Sequence, residues 1–296
     1  MGIIEQASKR LEELRRSGVD LPWAQASDAP SPQQPAALAG SLQELAAAPA
    51  LRAPLGHVDL DLVGLAAAGY LVPGAPRSRL LDEMRTVKRP LLANAVGAAG
   101  RERTERGNLI MITSSLPGEG KTFTSVNLAI SMALELNHSV LLVDADPTRM
   151  ALAQRLGVTG TRRGLLDLLL DASLDLADVE LATNVAGLSY LPAGTQHQLA
   201  TEIFGSDAMA ALLGRLAAHA EQRIVVFDAP PLLHAAEARV LAPQMGQVVL
   251  VVHAGKTPRG SVQHALRLLD ECSLVMTLLN QSRGAVASSP YGYYAY

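Results

Sequence analysis

A mostly parallel α/β sheet, doubly wound with helices on both faces, is the fold class that this 296-residue sequence predicts. Three observations point there. Near-continuous runs of branched apolar residues, such as 140–143 and 224–227, suit strands covered on both faces. Stretches with helical spacing alternate with them to the end of the chain. The first of these strands, residues 109–112, ends abruptly in Ser114-Ser115-Leu116-Pro117-Gly118-Glu119-Gly120-Lys121-Thr122, and a helix-compatible stretch from Phe123 follows at once.

That strand, loop and helix form the context of a phosphate-binding P-loop. The loop's backbone N–H groups and the helix N-terminus make a concave anion site, lined by Ser115, Pro117, Gly118, Glu119, Gly120 and Phe123. Lys121 is placed to reach the β and γ phosphates of ATP, and the Thr122 hydroxyl to ligate Mg²⁺. Ser115 departs from the pattern, which opens on Gly.

Composition narrows the class further. A hydrophobic fraction of 49% supports a sizeable core, and aromatics at 3% are scarce enough for their positions to be informative. The net charge of −3 implies no general attraction to nucleic acid or anionic lipid. A single cysteine, Cys272, excludes an internal disulfide framework and suits a reducing cytosol. No apolar run approaches the roughly 20 residues that cross a bilayer, so a membrane role is expected to come through a partner. The histidines show no zinc-ligand spacing.

Taken in order, residues 1–20 read as an amphipathic helix, with Ile4, Ala7, Leu11 and Leu14 on one face. It suits docking on its own domain or in a partner's groove equally well. Residues 21–77 read as a flexible Ala/Pro-rich linker, clearest at Ala29-Pro30-Ser31-Pro32, with a short helix and turn over 58–72. A second helix starts at 78 and carries Asp82, Arg85 and Lys88 three residues apart, as one charged face. The P-loop domain is expected over 78–284. Further strands are expected at 139–143, 188–191, 223–227, 247–252 and 274–279. Helices are expected at 122–136, 150–156, 165–171, 207–219, 235–242 and 260–272.

Two of those strands end in carboxylates. Residues 139–143 lead into Asp144-Ala145-Asp146-Pro147-Thr148-Arg149, and 223–227 lead into Asp228-Ala229-Pro230-Pro231. Carboxylates at the C-terminal ends of parallel strands project into the crevice where such sheets bind ligands. Phosphate-bound Mg²⁺ needs one or two protein carboxylates, and transfer chemistry needs another to orient the nucleophile.

The chain closes on Pro290-Tyr291-Gly292-Tyr293-Tyr294-Ala295-Tyr296, which holds four of its six tyrosines. Residues 285–296 are too short and too rich in small side chains to build a core. They suit either a sticky aromatic tail at a dimer interface or, beside an ATP site, a set of phosphoacceptors: Tyr291, Tyr293, Tyr294 and Tyr296.

These motifs together resemble the bacterial tyrosine kinases, in particular the autokinases of exosortase-type exopolysaccharide clusters. The resemblance covers about 78–296. It rests on Ser114-Ser115-x-Pro117-Gly118-Glu119-Gly120-Lys121-Thr122, Asp144-x-Asp146-x-x-Arg149, Asp228-x-Pro230-Pro231 and the tyrosine tail, and Ser115 is usual there. It implies Lys121 and Thr122 on phosphates and Mg²⁺, Asp144 as base toward tyrosine, Asp146 and Asp228 on the metal, Arg149 in the same motif, and Asn280 on adenine. Asp82, Arg85 and Lys88 would correspond to an E-x-x-R-x-x-R ring-forming motif, conservatively changed at its first and third positions. It further implies a homo-oligomeric ring, phosphorylation in trans, a tyrosine phosphatase and a membrane-anchored chain-length regulator, so that the protein is cytoplasmic and peripheral at the inner membrane. Two rivals share the fold: a ParA/MinD-like positioning ATPase, which usually carries lysine where this chain has Leu116, and a non-catalytic nucleotide-dependent scaffold of the export complex.

Overall fold

Eight strands form one sheet in the computed structural model, which describes residues 52–97, 102–135 and 138–282. The expected N-terminal helix (1–20) and tyrosine tail (285–296) lie outside the described residues. The strands are β1 (Gly56–Val58), β2 (Leu109–Ser114), β3 (Ser139–Asp144), β4 (Leu181–Thr183), β5 (Leu188–Leu191), β6 (Arg223–Asp228), β7 (Gln247–His253) and β8 (Val275–Asn280). Their spatial order is β1-β4-β5-β3-β6-β2-β7-β8, parallel at every junction except the antiparallel pair β4–β5.

The central strands are apolar throughout because each of their faces meets a separate layer. Leu109, Met111, Leu141, Val143, Val225 and Phe227 pack on one side, against α5 (Leu165–Leu170), α6 (Leu176–Val179), α7 (Ala200–Phe204), α8 (Asp207–Ala217), α9 (Ala236–Leu241) and α10 (Arg259–Arg267). The alternate residues Ile110, Ile112, Val140, Leu142, Ile224 and Val226 pack on the other, against α1 (Leu62–Ala67), α2 (Arg79–Val96), α3 (Lys121–Ala133) and α4 (Ala151–Leu156). Strand alternation thus splits each continuous run between two cores.

The strand that begins the P-loop is the third from one edge and the helix behind it is buried along nearly its whole length. Asn108 anchors the base of β2, its amide donating to the Leu216 and Arg223 carbonyls at 2.9 and 3.1 Å. Helix α2 starts on Ser78, whose hydroxyl accepts from the Leu81 N–H at 3.2 Å. It passes through Pro90 and stops at Gly97, which has φ of 81°.

One expectation about organisation is corrected. The flexible linker does not run to residue 77: β1 pairs with β4, and Leu60, Leu65 and Leu71 are buried. Two asparagines hold this segment. Asn184 accepts the Leu60 N–H at 3.0 Å, and Asn127, on α3, accepts the Leu71 N–H at 2.7 Å. Burial of a few leucines plus satisfied backbone groups orders a stretch whose own periodicity is weak. No helix among the described residues is long and apolar enough to cross a membrane.

Candidate active site

The site grows from the register of two neighbouring strands. Asp144, last in β3, is the direct partner of Asp228, last in β6, and Asp228 is in turn the partner of Ile112 in β2. Strand alternation turns both carboxyls to the face carrying α3, the helix that begins at the P-loop. There Asp228 accepts from the Thr122 hydroxyl at 2.8 Å and from the Ser125 hydroxyl at 3.0 Å. Lys121, also buried, extends its ammonium to Asp146 at 3.1 Å. Asp146 accepts the Thr148 hydroxyl at 2.9 Å, and its own N–H donates to Asp144 Oδ1 at 3.1 Å. The predicted Lys121, Thr122, Asp144, Asp146 and Asp228 therefore meet in one buried cluster.

Burying carboxylates beside one another favours their protonated forms. Burial first, then the charge of Asp228, pushes the Asp144 carboxyl up to about 8. Burial also raises Asp228, against the pull of Lys121 and the Thr122 and Ser125 hydroxyls.

The loop itself is braced from outside. Gly120 has φ of 97°, and a Cβ there would lie 2.0 Å from the Asn280 amide nitrogen. That amide donates to the Glu119 carbonyl at 3.0 Å. The Glu119 side chain is buried rather than turned to the phosphate cradle: it accepts the Leu116 N–H at 2.6 Å and the Thr257 hydroxyl. Ser114 and Ser115 sit in the core, where their carbonyls accept the Leu232 and Leu233 N–H groups at 2.9 and 3.3 Å. Beside Gly120, a cavity of about 360 Å³ is lined by Tyr70, Phe123, Arg155, Asn280 and Gln281. Tyr70 and Phe123 meet there with ring centroids 4.9 Å apart. Arg149 is exposed at the margin.

The comparisons with known proteins agree with this fold. The AAA domain family matches residues 107–280. The tyrosine-protein kinase YwqD of Bacillus subtilis (strain 168) is 33% identical over 186 residues, which is 62% of this chain and 76% of that protein. This chain belongs to the bacterial tyrosine-kinase family. The succinoglycan biosynthesis transport protein ExoP of Rhizobium meliloti is 32% identical over 66% of this chain, which spans 24% of ExoP. Among solved structures, the BceF tyrosine kinase domain superposes with a TM-score of 0.57 and 25% identity, covering 77% of this chain and 92% of that structure.

In this kinase the charged stripe on α2 does not hold together as read from spacing. Asp82 and Arg85 are exposed and paired at 3.2 Å, with Arg77 on the other side of Asp82 at 3.1 Å. Arg77, foremost, holds the Asp82 carboxyl below its ordinary range. Lys88 is buried instead, donating to the Ser131 carbonyl at 2.5 Å and pairing with Glu135 at 2.9 Å, on and just past α3. A three-residue step falls about 60° short of a full helical turn, so two steps turn Lys88 roughly 120° away from Asp82.

Sequence reasoning overlooked Ser125, Thr257 and Tyr70 in the kinase site. Ser125 lies three residues after Thr122 on the same helical face, which was a usable signal. Thr257 and Tyr70 arrive from segments whose neighbours depend on strand order, for which spacing gives no clue.

Proposed function

We propose that this protein is an ATP-dependent protein-tyrosine autokinase that phosphorylates Tyr291, Tyr293, Tyr294 and Tyr296 in trans between neighbouring copies. The observation that carries this reading is the buried Asp144, raised toward neutrality and register-paired with an Asp228 that is tied to the head of the P-loop helix. A proton acceptor works best when its affinity lies near the working pH. The acceptor phenol oxygen forms a bond to the γ-phosphorus, the bond from that phosphorus to the bridging oxygen breaks, ADP leaves, and the phenolic proton passes to Asp144.

Lys121 and the loop N–H groups bind the phosphates, exchanging the internal pair with Asp146 for the nucleotide's charge. The residues also fit a nucleotide-bound Mg²⁺. Among the described residues no group of three or more His, Cys, Asp or Glu side chains is arranged to hold a metal alone. Mg²⁺ on phosphates needs only one or two carboxylates, which Asp228, Asp146 and the Thr122 hydroxyl can supply. When bound, the ion neutralises charge on the transferring phosphoryl group. The cavity beside Gly120, with Asn280 in its wall, supports a place for the base.

The ring, the tyrosine phosphatase and the membrane-anchored chain-length regulator complete the reading, as does a place in exopolysaccharide export at the inner membrane. The name of ExoP supports that pathway, and the exposed Asp82–Arg85 pair supports a contact between copies. The test is incubation of the purified full chain with labelled ATP and Mg²⁺. Phosphotyrosine confined to 291–296, lost in Lys121→Met and on removal of 290–296, is expected. Steady ATP hydrolysis with no phosphotyrosine overturns the kinase reading, as does nucleotide binding without turnover.

A further inference from the structure

Tyr190 is a buried phenol for which the fold offers no ordinary explanation. It sits in β5, 1% exposed, and its hydroxyl has no hydrogen-bond partner of standard geometry among the described residues. Buried hydroxyls in folded proteins are almost always satisfied, so an orphan at a site edge points to a use. Its register partner is Leu142, two residues before Asp144 in β3. Tyr190 and Asp144 therefore stand at successive positions on one face of adjacent strands. The shared face places the two groups within electrostatic reach: after burial, the charge of Asp144 is the strongest influence raising the phenol's proton affinity. Both residues line one cavity of about 40 Å³, together with Thr161, Arg162, Met150 and Gly194. That is room for one or two waters in a mostly apolar wall, with the Asp144 carboxyl and Tyr190 hydroxyl among its few polar groups.

Among the described residues the Asp144 carboxyl has one donor of standard geometry, the Asp146 N–H on Oδ1. A carboxylate held by one hydrogen bond can still rotate about its terminal torsion, and a second donor fixes it. We propose that Tyr190 is the positioning residue for Asp144: its hydroxyl donates to the ionised carboxylate, directly or through a water in this cavity, and holds the oxygen that takes the acceptor's proton in line. The inference rests on the assignment of Asp144 as the proton acceptor. Tyr190 touches neither nucleotide nor acceptor, and its effect passes through Asp144 alone.

Tyr190→Phe keeps the ring and its packing while removing the donor. With the full-length chain, Mg²⁺ and ATP, the phosphotyrosine-forming rate at saturating ATP should fall about five- to tenfold, as expected for one hydrogen bond lost in the transition state. ADP affinity and melting temperature should stay unchanged. Asp144→Asn has no rate left to report, so that background is read by melting: temperatures across the four proteins should be non-additive, as for residues in contact. An unchanged rate in Tyr190→Phe overturns the proposal. So does a loss of rate that tracks equal losses in ADP affinity and melting temperature, which marks a packing role. Native rate in Asp144→Asn alone instead overturns the assignment of Asp144, and the melting cycle still reports whether the pair is in contact.

Discussion

Asp144 and Asp228 are direct register partners at the ends of β3 and β6, two buried carboxyls side by side next to the phosphate loop. Such a pair works against folding until a cation or a proton neutralises it. The Asp144 carboxyl, ordinarily near 3.8, is pushed up to about 8. The native state thus holds a proton between roughly pH 4 and 8 that the unfolded chain has released, so stability is fully present below that window and falls as pH rises through it. Asp144→Asn should remove this slope. Its melting temperature in the absence of nucleotide should exceed the native protein's by roughly 5 °C at pH 8, and by much less at pH 5. Scanning calorimetry at the two pH values checks this, with phosphotyrosine formation abolished in the same variant.

Lys88 and Arg85 should separate cleanly. Lys88→Ala strands the Ser131 carbonyl and Glu135 without their cation and should destabilise the fold by about 2 kcal/mol. Arg85→Ala, on the exposed face, should leave the melting temperature unchanged. Its effect belongs in sedimentation velocity, as a shift toward smaller assemblies.

Gly120→Ala should abolish ADP binding, because the added carbon meets the Asn280 amide at 2.0 Å in a backbone region that side chains rarely adopt. Gly214, inside α8 with open space around it, is the control. Gly214→Ala should stabilise the protein by about 0.5–1 kcal/mol without touching affinity. Calorimetric titration and thermal melts read the two effects.

Thr257→Val should loosen the P-loop without altering any group that faces the phosphates. The Thr257 hydroxyl donates to Glu119 Oε1 and accepts the His253 N–H at 3.1 Å, so the valine variant leaves one Glu119 oxygen and the His253 amide without these partners, while Leu116 still holds the other oxygen. ADP affinity should weaken about tenfold, in line with a lost hydrogen bond to a charged group, and Thr257→Ser should restore it.

The apolar runs over 109–112, 139–143, 188–191 and 223–227 were legible as strands, and the structure extends three of them by one or two residues. The extension matters, since it draws Asp144 and Asp228 into the ladder as its last pair. The P-loop and its carboxylates were legible because a chemical pattern and a hydrophobic pattern coincide there. Three-residue β1 and β4 were not, since a segment that short carries no period and is defined by its partner. Lys88 misled because spacing alone was read as a face, while the accumulated helical rotation turned it into the core. Tyr190 and Thr257 depend on which strands lie side by side, a property of the whole sheet.

The Asn280 amide grips the Glu119 carbonyl from the last residue of β8, and the chain runs on from there toward its tyrosines. Mechanically, this is a tether: tension on the tail is delivered to the loop that holds phosphate. Under the proposed transfer in trans, a neighbouring copy that drew the tail into its own site would tug on the donor's nucleotide cradle, and phosphate release and tail capture would share one tendon.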